Sequence, residues 1–400
     1  MSTPFGTRFA ISISLFFAAF FLVIGVMLPF LPLWLAGRGL SETEIAMVVA
    51  LPMLIRVVAT PGLSLLIDRS LAPKRVLIGL ALIGTTAFAA LEASQSYIMI
   101  LLVSLIGACV WHPLMASLEA IAQSGAQRFR QDYGRLRLSG SASFILANLA
   151  GGAVIAWLGT GSVIWMMTLA ALMTAVSLLL LPDIRVQDQD RTPPSAVMLW
   201  HWLCRPAILF FVIGIGLIQA SHAVYYAFGT VHWESLGHSS TLIGGLWAIG
   251  VVAEIVLFAV SGRVLGAIGI VGLLLAAGLG SAVRWTVTAF DPGLAMLAII
   301  QLGHALTFGA THLAGVTLIS RIAPEGAGSS AQAIQFTMSG VIMGCAVLSA
   351  GPAYAAFGGH AYLIMAVLGV LGAALALVGA RRLTGYPHKA GSGGDTVAPS

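Results

Sequence analysis

The chain is 400 residues long, 59% hydrophobic and only 8% charged, with a mean hydropathy of +0.99 and a formal net charge of +5. Soluble chains carry about a quarter charged residues, so a soluble globular protein is excluded. The basic residues are spread over short loops and form no aromatic-interleaved face, which excludes nucleic acid as a partner. Cys109 and Cys345 lie inside apolar runs and Cys204 just before one, so neither a disulfide framework nor a metal cluster is implied.

Apolar runs long enough to cross a bilayer core of roughly 30 Å as helices recur along the chain. The first, from about Phe9 to Leu35, is too long for a signal-peptide core and reads as a retained span. Twelve spans follow in order, near residues 9–35, 43–67, 75–92, 97–122, 137–158, 162–181, 206–233, 240–263, 268–290, 293–320, 328–357 and 360–381. The polar stretch LPDIRVQDQDRTPPSA (181–196) divides them six and six. The expected organisation is an N-terminal six-helix bundle over 1–181, a cytoplasmic linker over 182–205, a C-terminal six-helix bundle over 206–382 and a Gly- and Ser-rich disordered tail over 383–400. Arg8, Arg69, Lys74, Arg75, Arg128, Arg130, Arg135, Arg137, Arg185, Arg191, Arg205, Arg263, Arg321, Arg381, Arg382 and Lys389 all fall on the side of the N-terminus, and only Arg38 on the other. The positive-inside rule then puts both termini in the cytoplasm. Arg56 and Arg284 remain inside spans.

The two halves resemble each other at an offset of about 200 residues. Gly39-Leu-Ser-Glu-Thr-Glu-Ile45 echoes Gly237-His-Ser-Ser-Thr-Leu-Ile243, and seventeen residues after each glycine stands a mid-span charge, Arg56 or Glu254. Ser139-Gly140 and Gly151 match Ser339-Gly340 and Gly351, and His112 pairs with His312. Two six-span halves in the same orientation, related by a pseudo-two-fold axis along the membrane normal, are the architecture of major facilitator transporters. The fold class expected is therefore an all-α membrane protein of twelve transmembrane helices in two six-helix bundles.

ACVWHPLMASLEAIA (108–122), DYGRLRLSGSASF (132–144), QLGHALTFGATHLAGVTLISR (301–321) and GLSETEIAMVVALPMLIRVV (39–58) resemble the 3-phenylpropionate permease-like branch of the major facilitator superfamily. The resemblance runs from about residue 10 to 380. Ser139 replaces the branch's usual Trp, Glu119 its usual Asp, and the loop signature between spans two and three is reduced to Gly62, Asp68, Arg69, Lys74 and Arg75. The function expected is a proton-coupled symporter of a small organic anion, and the resemblance implies an aromatic carboxylate as that anion and a bacterial inner membrane as the location. It also implies gating contacts at Asp68 and Arg69, and a central cavity lined by spans one, four, seven and ten. On that basis His112, His222, His304 and His312 converge on the cavity as candidate substrate contacts.

Intramembrane charges are costly and usually face a cavity or a partner. Arg56 reads either as a clamp for an anionic substrate or as a structural contact between the halves. Glu254 reads as a proton carrier reached by water from alternate sides, or as a static partner of Arg284 or His312. Glu119 is either an inner-gate or proton residue or the partner of Arg135 or Arg137, and Arg284, only six residues before the outer edge, has snorkelling as a serious alternative to any role inside the bundle. His304 and His312 lie eight residues apart on roughly one helical face, with Gln301 one turn before, and read as lining a polar path. No ligand spacing supports a metal, no cofactor is expected, and no Gly-x-x-x-x-Gly-Lys-Ser/Thr motif supports direct ATP drive. A symporter or exporter of a neutral solute (sugar, nucleoside or drug) is the first alternative, and a non-transporting membrane receptor the second.

Overall fold

A computed structural model describes residues 4–181 and 195–384. Most of the expected linker and nearly all of the expected tail lie outside the described residues. The first half consists of α1 (Pro4–Gly37), α2 (Glu42–Arg69), α3 (Pro73–Ala93), α4 (Tyr97–Arg128), α5 (Tyr133–Leu158) and α6 (Ser162–Leu180). A short helix α7 (Ala196–Leu203), inside the stretch read as linker, precedes the second half and is tied down by the Trp202 indole donating to the Ile322 carbonyl at 3.1 Å. Span seven is α8 (Pro206–Ala220) and α9 (Ala223–Ser235); spans eight and nine are α10 (Ser240–Ala259) and α11 (Ser261–Thr288). Span ten comprises α12 (Leu294–Leu302), a π-helical turn (Ala305–Ala310) and α13 (Thr311–Ile322); α14 (Gly328–Phe357) and α15 (Ala361–Thr384) complete the bundle. There is no strand among the described residues.

Eleven stretches of helix are long and apolar enough to cross a membrane, and the last, Gly328–Leu383, holds two spans in its 56 residues. The twelve expected spans are all present. Leucines such as Leu172, Leu179, Leu279 and Leu371 point outward, as a helix in lipid requires once its backbone is satisfied internally. The repeat is visible in the turns. Gly39 and Gly237 both adopt left-handed backbone, with φ of 81° and 87°, and Ser41 and Ser239 two residues later each cap the next helix. Glu44 closes a capping box with Ser41, which gives this span-end carboxylate a structural job.

We call the end carrying Pro4 and Thr384 basal and the opposite end distal. The halves meet mainly through α2 against α14 and α5 against α10. The closest approaches lie in the distal portions of these helices, where glycine makes them feasible. A Cβ on Gly152 would lie 2.3 Å from the Ser240 carbonyl oxygen, and one on Gly244 2.2 Å from that of Asn148. Gly351 abuts Ala46 and the Glu42 carbonyl, and Gly344 abuts Leu54. Toward the basal end the facing side chains are partly exposed, among them Glu119, Arg137 and Glu254. The halves are closed together distally.

Candidate functional site

Two groupings of polar side chains inside the spans stand out, one in each half. In the second half the centre is Arg284 of α11, which is only 2% exposed. Its Nη1 donates to the Thr307 hydroxyl at 2.9 Å and lies 3.3 Å from both His222 Nε2 and His304 Nδ1, while Nη2 donates to Gln301 Oε1 at 3.1 Å. The guanidinium also stacks 4.3 Å from the Trp285 ring and 5.1 Å from the Tyr225 ring. This forked arrangement beside two aromatic rings suits arginine better than lysine. It leaves Nε buried without a hydrogen-bond partner.

Because arginine only donates, the network sets both histidine tautomers. His222 accepts at Nε2 and therefore donates from Nδ1 to the Gln219 carbonyl at 2.9 Å. His304 accepts at Nδ1 and presents Nε2–H to Glu254 Oε2 at 3.4 Å. Glu254 is thereby tied through one imidazole to a buried guanidinium. It also lies within electrostatic reach of His312 on α13 and of Arg137 in the other half.

Two backbone irregularities hold these groups. Span seven breaks at Ser221 and His222, and span ten relaxes into the π turn that contains Thr307 and Phe308. Non-α backbone at membrane depth is tolerated only where protein or a cavity satisfies it, and π turns concentrate at functional places. Here the Ser221 hydroxyl accepts from the Trp285 indole at 3.0 Å, and the Thr307 hydroxyl lies 3.0 Å from His222 Nε2. The π turn also aligns rings at four-residue steps: His304 stacks on Phe308, Phe308 on His312, and His312 on Phe336 of α14.

The first half holds a cavity of about 230 Å³. Its walls are apolar, with Met27, Met53, Phe88, Trp111 and Met167 prominent, and Tyr226 reaches in from the second half. Trp111 is fixed by stacking on Phe20 at 4.9 Å and by an edge contact with Phe88. Arg56 and His112 supply the polar part of the wall and lie within electrostatic reach of each other. Arg56 makes no hydrogen bond or ion pair to any described residue; its guanidinium rests on Gly340 of α14, where a Cβ would lie 2.5 Å from Nη2. Two further lining residues carry buried polar atoms without a partner, the Ser104 hydroxyl and the Trp111 indole nitrogen.

The MFS_1 like family matches residues 10–363. The chain belongs to that family, and it is a major facilitator transporter rather than an enzyme. The transporter is 28% identical over 364 residues to the probable 3-phenylpropionic acid transporter of Escherichia coli (strain K12), covering 89% of this chain and 94% of that protein. It is 26% identical over 329 residues to the maltose permease of Geobacillus stearothermophilus, covering 80% and 81%. Among solved structures, the nucleoside transporter NupG superposes with a TM-score of 0.77 at 19% identity, over 96% of this chain and 100% of that one. A bacterial homolog of the human lysosomal transporter Spinster, in its inward-facing and unoccupied conformation, gives a TM-score of 0.70 at 12% identity, covering 96% and 98%. These structures establish the fold.

The transporter places the residues singled out from sequence as follows. The four histidines do not form one cluster. His222 and His304 adjoin Arg284, His312 lies two helical turns beyond His304, and His112 lines the cavity of the other half. His222 has no exposed surface and both ring nitrogens are occupied, so in this conformation it meets no cavity. Arg284 does not snorkel: span ten and α9 enclose it, and its position near a helix end says nothing about its radial direction. Glu119 is held by Arg137 Nε at 3.3 Å and accepts a hydrogen bond from the Tyr133 hydroxyl. Arg137 in turn lies over Phe21 at 4.0 Å. The Asp68 side chain falls outside the described residues, and Arg69 ends α2 as an exposed residue. No group of three or more metal-ligating side chains occurs among the described residues. Sequence reasoning missed Thr307 and the π turn that positions it.

Proposed function

We propose that this transporter is a proton-coupled symporter of a small aromatic monocarboxylate, working by alternating access. The observation that carries the reading is Arg56: a guanidinium with no acceptor among the described residues, in the wall of a largely apolar, aromatic-walled cavity. A half-buried cation without a partner invites an anion to complete it, and a carboxylate can take two parallel hydrogen bonds from a guanidinium. The methionines and aromatics of the cavity suit a ring, and His112 stands beside the anion position. A sugar would leave most of its hydroxyls against Met, Leu, Val and Phe side chains, which argues for the acid over a neutral solute.

Glu254 is the proposed proton carrier. His304 offers it a donor whose tautomer is fixed by Arg284, so the proton is loaded on the carboxyl and the imidazole stays as its guide. Glu254 faces the part of the interface that is open basally, within reach of Arg137. With the basal end in the cytoplasm, as the basic loops indicate, the closed distal contacts correspond to an inward-facing state in a bacterial inner membrane.

The test is uptake and counterflow in proteoliposomes with 3-phenylpropionate, a sugar and a nucleoside. Acid uptake driven by an inward proton gradient is expected, and Arg56→Gln is expected to weaken acid binding by about 10- to 100-fold, as loss of a charge-assisted hydrogen-bonded pair implies. Glu254→Gln is expected to keep counterflow and abolish accumulation. Uptake indifferent to the proton gradient would end the coupling proposal, and preference for the sugar or nucleoside would end the substrate proposal.

A further inference from the structure

The geometry points to Gly340 as the residue that positions Arg56, so that the anion site is completed by the opposite half only while the distal ends are together. This inference rests on the reading of Arg56 as the carboxylate clamp. Arg56 belongs to α2 of the first half and Gly340 to α14 of the second. A Cβ at Gly340 would come within 2.5 Å of Arg56 Nη2, 3.5 Å of Cζ and 3.6 Å of Nε. The guanidinium therefore points Nη2 edge-on at bare backbone, and it is the far end of a flexible side chain.

That detail decides what a substitution does. Where added bulk meets backbone, the helices must separate; here the added methyl meets a side chain that can swing away. Ordinary contact begins at about 3.4 Å, so Nη2 must retreat by roughly 1 Å, a displacement able to cost on the order of 100-fold at a well-aligned site. The fold is kept and the clamp is misaimed. Gly344, one turn further along α14, is a natural control: its Cβ would meet Leu54 Cδ2 at 2.6 Å, in the same α2–α14 contact but away from any charge.

Because the seat is on the other half, it exists only when α14 lies against α2. Opening the distal end withdraws Gly340 and frees the guanidinium. The clamp is thereby aimed by closure itself, which links tight anion binding to the distal-closed state without any further switch.

The experiment measures binding of 3-phenylpropionate and its uncharged amide to purified protein by isothermal calorimetry, in Gly340→Ala, Gly340→Ser, Gly344→Ala and Arg56→Lys, and in Gly340→Ala combined with Arg56→Lys. Monodispersity and melting temperature serve as checks that each variant is folded. Gly340→Ala is expected to weaken the acid at least 10-fold and leave the amide within about 2-fold, with Gly340→Ser at least as severe. Gly344→Ala is expected to leave the acid-to-amide ratio unchanged. With the slimmer lysine at position 56, Gly340→Ala is expected to cost nothing further. Equal losses for acid and amide, or the same loss in the Arg56→Lys background as in the wild type, would overturn the positioning role. If Arg56→Gln keeps full acid affinity, the clamp reading itself fails; if Arg56→Gln loses it and Gly340→Ala does not, only the Gly340 inference fails.

Discussion

Replacing Arg284 by lysine isolates what the fork of the guanidinium contributes. The charge is retained, but one nitrogen must now serve acceptors that Nη1 and Nη2 reach separately. Thr307, His222 and His304 lie on one side at 2.9, 3.3 and 3.3 Å, and Gln301 on the other at 3.1 Å. An ammonium placed for Thr307 forfeits Gln301, a hydrogen bond to a charged donor worth about 1.5–3 kcal/mol in a buried setting. It also loses the stacking on Trp285, worth about 1–2 kcal/mol when desolvated. A net destabilisation of about 3 kcal/mol is expected for Arg284→Lys. Arg284→Met should be worse, at about 5 kcal/mol, because Thr307, Gln301 and both histidines then keep buried polar atoms without the common donor. Thermal unfolding of the detergent-purified protein, followed by intrinsic tryptophan fluorescence, reads the order wild type, lysine, methionine. A lysine variant that melts with the wild type would show that charge alone matters and that the bidentate geometry is incidental.

Gly152→Val adds bulk against the Ser240 carbonyl, 2.3 Å from the new Cβ, and backbone cannot swing aside. The distal ends should be forced apart, lengthening the spin-label distance between Thr160 and Leu236 by several ångströms, and an unchanged distance distribution would refute the close approach. At the distal surface, His232 Nε2 meets Asp291 Oδ1 at 2.7 Å and Nδ1 meets the Tyr354 hydroxyl at 2.9 Å, joining α9, the loop before α12, and α14. His232→Phe should lower stability by about 1–2 kcal/mol, a modest figure because Asp291 is 43% exposed, and a melting temperature equal to that of the wild type would count against the clasp.

The spans were legible because a bilayer imposes one requirement, length and apolarity, that composition states directly. The repeat was legible for a similar reason: Gly39 and Gly237 each occupy a left-handed position that glycine alone accepts freely. The site was legible only in part. Arg56, Glu254 and the histidines announce themselves as polar groups where water is absent. Their grouping does not, since His112 and His304 both sit in apolar runs yet belong to different halves of the site region. The direction of Arg284 was left open because distance from a helix end gives depth and not direction, and it faces inward between α9 and span ten. Thr307 resembles any threonine in a helix until the π turn rotates it toward Arg284. Such a turn depends on what surrounds the helix, and no residue type marks it in advance.

The two halves keep one backbone plan and fill it differently, and that difference supports a division of labour. At an offset of 200, Arg284, His304 and Thr307 correspond to Gly84, Ser104 and Gly107. The second half packs its three large or polar side chains into a closed network. The first half has small residues there: Ser104 and Gly107 line the cavity, and Gly84 gives room to the Trp111 ring, with a would-be Cβ 2.9 Å from Cε3. Spans two and eight carry opposite charges at matching places, each within reach of the matching histidine, Arg56 with His112 and Glu254 with His312. A cavity beside a free cation suits an anion, and a carboxylate guided by a rigid network suits a proton. Since α2 packs on α14 and α5 on α10, both charges stand on helices that form the contact between the halves. On the proposed reading of Arg56 and Glu254, duplication followed by opposite filling is sufficient to put solute and proton on either side of one moving interface.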